Sequence, residues 1–497
     1  MGGRRVTDRS ADRLERLDRT EAWDGIKAVV AGMGVSGFAA ADNLTHLGAS
    51  VTALDESEAG DRGEKATLLE ILGATVRLGE GSTATLPADV DVLVTSPGWR
   101  PDAPLLAQAV ARGIPIWGEV ELAWRLRNPD KPAPWLAITG TNGKTTTVQM
   151  LEQMLLRAGL RTVACGNVGL PIVEAVMADH GNGAEPYDVL AVELSSFQLH
   201  YTSSMRAHSA AVLNVAEDHL DWYPSMTQYT ADKARIYAGV SNACVYNVQD
   251  PVTEQLVRDA DVTEGARAIG FTLGTPAVGM LGLVEDVLAD RAFVEDRHSS
   301  AAELATLADL ASPAPHFVAN ALAAAALARS FGVAPAAVRD ALRDFKPDGH
   351  RISVVATFED VTWVDDSKAT NPPAALASLQ AYDPVVWIAG GLAKGASFDE
   401  LVDRAGDRLR AVVLIGTDAG VIAEALARHA PDVPVFRLAD GETSPMESAV
   451  AQAAALARPG DTVLLAPGCA SMDMFANYGA RGDAFVEAVH RRQRAAE

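Results

Sequence analysis

The chain is poor in cysteine, has no long apolar run and is short of positive charge. Its 497 residues include three cysteines, Cys165, Cys244 and Cys469. They are too few and too scattered for a disulfide framework or a zinc cluster. No stretch reaches the roughly 18 uninterrupted apolar residues that a membrane helix needs. The Ala-rich run 319–328 is too short and is followed by Arg329. No apolar segment follows the N-terminal charges, so a secretory signal is not expected. Lys and Arg number 42 against 65 Asp and Glu, a net charge of −23. That balance argues against sequence-independent nucleic-acid binding, which needs a basic footprint. It also means that an anionic substrate must be met by local cations.

What is present fits a globular enzyme. The chain is 48% hydrophobic and 22% charged, which excludes a wholly disordered chain. At roughly 100–200 residues per domain its length suggests about three domains. Residues 1–22 carry eleven charges of both signs and read as a solvated arm. Beyond them, short Val/Ile/Leu-rich runs alternate with helical stretches: 28–31, 51–54, 90–95, 136–139, 189–194, 210–215, 385–389, 412–415 and 462–466. Such alternation implies mostly parallel sheets covered on both faces. Pro-rich breaks at 128–134 and 346–349 divide the chain. The expected architecture is α/β: a charged arm (1–25), a Rossmann-like nucleotide-binding domain (26–127), a central P-loop ATPase-type domain (128–347) and a Rossmann-like C-terminal domain (348–497). A cytoplasmic location without membrane contact is expected.

Gly32-Met33-Gly34-Val35-Ser36-Gly37 follows the first strand and opens a helix, as phosphate-binding turns do. Asp55 ends the second strand, where a carboxylate accepts ribose hydroxyls. A dinucleotide, another nucleotide diphosphate and a purely structural turn all remain open on this motif alone. Ser96-Pro97-Gly98 ends a later strand at the same sheet edge.

The strongest motif is Thr139-Gly140-Thr141-Asn142-Gly143-Lys144-Thr145-Thr146, between a strand and a helix. Its backbone N–H groups suit phosphate oxygens, Lys144 suits the β- and γ-phosphates, and the Thr145 hydroxyl suits Mg²⁺. Glu193 sits at a strand end, where a carboxylate serves a nucleotide-bound Mg²⁺. His219 follows another strand among Glu217, Asp218 and Asp221, and a second metal site is plausible there. By composition alone, Lys233 is an exposed helix lysine.

Three strings in this order resemble the Mur ligases: Gly140 to Thr145, Glu193-Leu194-Ser195-Ser196-Phe197-Gln198-Leu199, and Asn214 to His219. These are ATP-dependent amide-forming enzymes of peptidoglycan precursor synthesis, and the likeness covers about residues 26–490. The Glu193 string, Asp366-Ser367-Lys368-Ala369-Thr370-Asn371 and Cys469-Ala470-Ser471-Met472-Asp473 are similar to those of the D-glutamate-adding branch. The resemblance implies ATP, two Mg²⁺, UDP-N-acetylmuramoyl-L-alanine and D-glutamate as ligands, and a monomer. It implies a carbamylated Lys233 that holds the second Mg²⁺ with His219, while Thr145 and Glu193 hold the first. Asn320 is implied to read the adenine and Arg351 to lie near the phosphates. Ser36, Asp55, Ser96, Gly98, Asn167 and Ser195 are implied on the UDP-substrate side. Asp366 is implied near ATP, and Lys368, Ser471 and Tyr478 at D-glutamate. His219 and Asp218 are candidate proton acceptors. The chain departs from the family pattern at Phe317, where Asn is usual, and at Tyr478, where Phe is usual. A nicotinamide dehydrogenase leaves the phosphate loop without a role, and a non-catalytic P-loop switch leaves the C-terminal strings without one.

Overall fold

The computed structural model describes residues 13–181, 183–347, 349–439 and 444–496. Residues 1–12 of the expected arm and Asp348 of the expected second break lie outside the described residues. The chain divides into two compact units. One comprises 1–215 and 227–345, the other 216–226 and 346–497.

Among the described residues, twenty strands form three sheets. The first, in the first unit, contains β1 (Lys27–Ala31), β2 (Ser50–Asp55), β3 (Thr75–Leu78), β4 (Val92–Thr95) and β5 (Ile116–Gly118). Its order is β3-β2-β1-β4-β5 and every pairing is parallel. The second sheet of that unit contains β6 (Trp135–Thr139), β7 (Ala164–Gly166), β8 (Leu190–Glu193), β9 (Ser209–Val212), β10 (Ala243–Asn247), β11 (Arg267–Phe271), β12 (Met280–Val284), β13 (Val287–Asp290) and β14 (Ala302–Thr306). Its order is β14-β13-β12-β11-β10-β9-β6-β8-β7. All five residues of β6 are buried, which is why this strand reads as a continuous apolar run rather than an alternation. The helices Lys144–Arg157 and Pro315–Ser330 pack against this sheet, and the Ala-rich face of the latter lies in the core.

The third sheet, in the second unit, contains β15 (Ser353–Phe358), β16 (Val361–Asp365), β17 (Val385–Gly390), β18 (Leu409–Ile415), β19 (Val435–Arg437) and β20 (Thr462–Leu465). Its order is β15-β16-β20-β17-β18-β19. The three α/β layers agree with the sequence reading, but the sheets are not wholly parallel. β12–β13–β14 is an antiparallel meander, and β15 runs antiparallel to β16.

The expectation of a solvated arm fails from residue 13 onward. Leu14, Leu17 and Trp23 are buried in the core of the first unit. Arg19 pairs with Asp179 at 2.5 Å and donates to the Val176 carbonyl. Burying each of those apolar side chains is worth about 2 kcal/mol, which outweighs the solvation of scattered charges. The segment 216–226 follows the central strands in sequence but packs with residues 346–497, where Asn371 Nδ2 donates to Asp218 Oδ2 at 3.1 Å.

Candidate active site

The phosphate loop leaves β6 between β8 and β9, whose carboxyl ends carry Glu193 and, two residues on, Asn214. This is the edge of a parallel sheet where ligands bind. Gly143 caps the helix Lys144–Arg157 at φ +85°. A Cβ there would stand 2.3 Å from Asn320 Oδ1, so the glycine lets Asn320 close on the loop. Asn214 braces the loop from β9: its Oδ1 accepts from Asn142 N at 2.8 Å, and its carbonyl accepts from Thr141 N at 3.0 Å. Tyr229 OH lies 2.9 Å from Thr141 Oγ1. Lys144 Nζ donates to the carbonyls of Gly140 and Thr141, each at 2.9 Å. Thr145 and Thr146 are buried at the start of the helix.

Glu193 is 1% exposed. Its Oε1 accepts from Asn167 Nδ2 at 2.8 Å, while Oε2 is buried without a hydrogen-bond partner. Gly166, at φ +111°, permits the close approach, since a Cβ would meet the Glu193 carbonyl at 2.2 Å. Lys233 is 1% exposed, which corrects the composition-based reading of an exposed lysine. Its Nζ donates to Gly140 O at 2.9 Å and lies 4.5 Å over the Tyr229 ring. His219 belongs to the other unit. It takes φ +57°, and its ring Nε2 stands 3.7 Å from Asp218 Oδ2.

In the first sheet, Gly32 takes φ +94° and its carbonyl accepts from Ser96 Oγ at 3.3 Å. Ser36 lies partly exposed in the first turn of the helix Val35–His46, and Gly98 takes φ +92°. Asp55 already serves the chain. It accepts from Met33 N and Ser57 N and pairs with Arg62 at 3.1 Å. Burial raises its pKa, but those donors outweigh burial and hold the carboxyl below its ordinary value. Ser195 caps the short helix Ser196–His200 in a box with Gln198.

In the second unit, Asp366 and Lys368 follow β16, and Ser471 follows its parallel neighbour β20. Lys368 Nζ lies 3.7 Å over the Tyr478 ring. Ser471 is buried and Tyr478 is exposed. Arg481, 1% exposed, ties the two segments: Nη2 donates to the Ser367 carbonyl at 2.9 Å and Nη1 to that of Cys469 at 3.0 Å. Asp366 accepts from Ser378 Oγ. Burial pushes its carboxyl up to about 6, against the lowering effects of Ser378 and Arg351. A raised carboxyl binds its proton in the folded state first. Its contribution to stability is therefore whole below the ordinary value near 4 and lost as pH rises through about 6. Asp366→Asn should gain on the parent protein over that window by up to about 3 kcal/mol, read from denaturant midpoints at several pH values. A pH-independent difference would contradict this.

Phe317 packs in the core with its ring 6.1 Å from that of Phe345. Sequence reasoning missed the bracing by Asn214 and Tyr229 and the tie through Arg481. Tyr229 stands four residues before Lys233 on one helix, a spacing that places both on one face. Among the described residues no cluster of three or more His, Cys, Asp or Glu forms a metal cage. Mg²⁺ is commonly held by one or two protein oxygens plus substrate phosphates. The orphaned, buried Oε2 of Glu193 fits such a role.

Three family profiles match the chain: "Mur ligase MurD-like, N-terminal domain" over 26–118, "Mur ligase middle domain" over 138–328, and "Mur ligase, glutamate ligase domain" over 350–469. The UDP-N-acetylmuramoylalanine–D-glutamate ligase of Streptomyces avermitilis is 62% identical over 467 residues, 94% of this chain and 98% of that protein. Its namesake from Streptomyces coelicolor is 61% identical over 469 residues, with the same coverage. The solved UDP-N-acetylmuramate-alanine ligase of Thermotoga maritima shares the fold, with a TM-score of 0.56 at 19% identity over 95% of this chain and 100% of that one. With such likeness along nearly its whole length, the chain belongs to the Mur ligase family.

Proposed function

We propose that the protein joins D-glutamate to UDP-N-acetylmuramoyl-L-alanine in cytoplasmic peptidoglycan precursor synthesis, at the expense of ATP. The observation that carries this reading is the likeness, over nearly the whole chain, to ligases named for that reaction. The phosphate loop and the constellation after β16 and β20 support it.

A carboxylate is a poor electrophile, because an amine cannot expel oxide from it. The L-alanyl carboxylate oxygen attacks the γ-phosphorus of ATP, ADP leaves, and an acyl phosphate forms. The D-glutamate amine then adds to the carbonyl carbon and loses a proton, and phosphate leaves as the amide forms. The attacking carboxylate and the transferred phosphoryl group are both anionic. Lys144 offsets that repulsion and the loop N–H groups orient the phosphates. Asn320 packs against Gly143 and would read the adenine. Glu193 and Thr145 would hold one Mg²⁺. Bound there, Mg²⁺ supplies positive charge beside the phosphates. A protonated lysine has no lone pair to offer a metal ion, so Lys233 suits the second Mg²⁺ only as its carbamate. Asn167 contacts the muramoyl group. Lys368, Ser471 and Tyr478 receive D-glutamate, the lysine pairing with a carboxylate.

Phosphate release tests the reading: purified protein, Mg-ATP and UDP-N-acetylmuramoyl-L-alanine, with one amino acid added at a time. Turnover is expected with D-glutamate alone. Turnover with another amino acid would keep the mechanism and overturn the roles of Lys368, Ser471 and Tyr478. Absence of turnover with every amino acid, in folded protein that binds ATP, would overturn the ligase reading.

A further inference from the structure

Within the first unit, a buried acid that the proposed chemistry does not use joins the first sheet to the second. Glu119 opens the helix Glu119–Arg125 directly after β5 and is 1% exposed. Its Oε1 accepts from Val173 N at 2.8 Å. Ile172 and Val173 open the helix Ile172–Met177, whose own cap residue, Pro171, makes no side-chain bond. Glu119 therefore caps that helix from the end of the first sheet, satisfying an N–H group that a helix start leaves without a partner.

The capped helix ends a tight turn. Gly166 N donates to the Leu170 carbonyl at 2.9 Å, and Asn167 N donates to the Glu193 carbonyl at 2.9 Å. Asn167 Nδ2 then reaches Glu193 Oε1. One connected path thus runs from Glu119 through the helix start and the 166–171 turn to Asn167 and Glu193.

We infer that Glu119 is a positioning residue, whose carboxylate holds the 166–171 turn so that Asn167 meets the UDP-linked substrate. This rests on the ligase reading, in which Asn167 contacts the muramoyl group.

Glu121, two residues on, shows what a purely structural tie looks like. Its Oε2 accepts from Ser203 N and Ser204 N, and its Oε1 from Arg125 Nε. Burial raises its pKa, yet these donors outweigh burial and hold it below its ordinary value. Glu119 has no such provision. Its Oε2 is buried without a partner, and burial pushes the acid up to about 7 despite the Val173 donor. Among the described residues, the charged group that acts on it most is another acid. Glu174 faces it from the capped helix and raises it further, and Asp42 bears on Glu174 from the helix Val35–His46. Cys165 lies on β7 with Glu152 beyond it, and Arg125 on its own helix is paired with Glu121. A neutral amide would hold the helix start at a smaller desolvation cost. A carboxylate kept there is a charge held for the stronger bond it makes.

The test is Glu119→Gln, which keeps the shape and one acceptor oxygen. Stability and substrate binding should then move in opposite directions. At pH 8 the variant should melt higher than the parent, because a buried charge is gone. Its KM for UDP-N-acetylmuramoyl-L-alanine should rise about tenfold with kcat nearly unchanged. In the parent that KM should rise as pH falls through about 7, where Glu119 takes up its proton, and in the variant it should stay flat. An unchanged KM with the parent's pH profile would overturn the inference. So would an undiminished effect of Glu119→Gln in an Asn167→Ala background, since the path runs through Asn167. Amide hydrogen exchange of residues 166–173, at one pH and without substrates, should be faster in the variant. Should the parent protein show no turnover, the ligase reading has failed. The exchange result still decides the structural link, and equal protection would overturn it.

Discussion

Gly143→Ala should lower ATP-dependent turnover by about a hundredfold or more, because two independent penalties meet at one atom. The backbone is left-handed there, at φ +85°, which costs a residue with a Cβ about 1–2 kcal/mol. The added Cβ also falls 2.3 Å from Asn320 Oδ1, far inside contact distance. Asn320 is only 8% exposed, so the loop must shift instead, carrying Lys144 and Thr145 with it. Gly159 supplies the control. It follows the same helix at φ +79°, and a Cβ there meets nothing within 4 Å. Gly159→Ala should therefore cost about 1 kcal/mol of stability and leave turnover alone. Adding Asn320→Ala to Gly143→Ala removes the clash but not the left-handed strain. Asn320→Ala alone loses its proposed adenine contact, so the double variant is compared with that single variant: equal ATP affinity in the two would assign the Gly143→Ala loss to the clash. Equal turnover in Gly143→Ala and the parent would show that the loop tolerates displacement and would contradict the reading of its geometry.

How much of this was legible in the sequence depended on how local the signal was. Each of the nine apolar runs overlaps a strand, because strands buried on both faces need continuous apolar residues. The antiparallel additions were not legible. The β15–β16 hairpin turns on Glu359-Asp360, at φ +52° and +57°, and the β12–β13 hairpin has Glu285 at φ +56°. Both are left-handed positions usually marked by Gly or Asn, so acids there hide the turn. The docking of the segment from Leu14 to Trp23 was hidden for a related reason. Three apolar residues among many charges leave no periodic signal, yet they fill one site on the core. In the candidate site, glycines, the loop lysine and strand-end acids announced themselves by spacing. Asn214 and Tyr229 did not, because bracing a loop from a neighbouring strand or helix is a tertiary fact. Glu119 and Glu121 look equivalent as sequence. They differ only in how many donors the fold brings to each.

Lys233→Ala should abolish most turnover, by about a thousandfold, and small carboxylates such as acetate should restore part of it. The lysine is buried with its Nζ on the Gly140 carbonyl and over the Tyr229 ring, so it is already held at the phosphate loop. The proposed carbamate forms when the amine nitrogen attacks the carbon of CO₂ and loses a proton. The product is an anionic oxygen donor in place of a cation. Losing the side chain removes that donor and leaves a space one small carboxylate fills. Lys233→Arg separates charge from chemistry: it keeps a cation but cannot carbamylate under the same conditions, so it should be as inactive as the alanine variant and resist rescue. ATP binding measured on each variant keeps folding defects apart from catalytic ones. Labelling with ¹³CO₂ should place a carbamate carbon on Lys233 in the active parent and in neither variant. An unmodified amine in fully active protein, or an alanine variant with the parent's rate, would remove Lys233 from the chemistry and leave it as a buried brace of the loop that Tyr229 and Asn214 already hold.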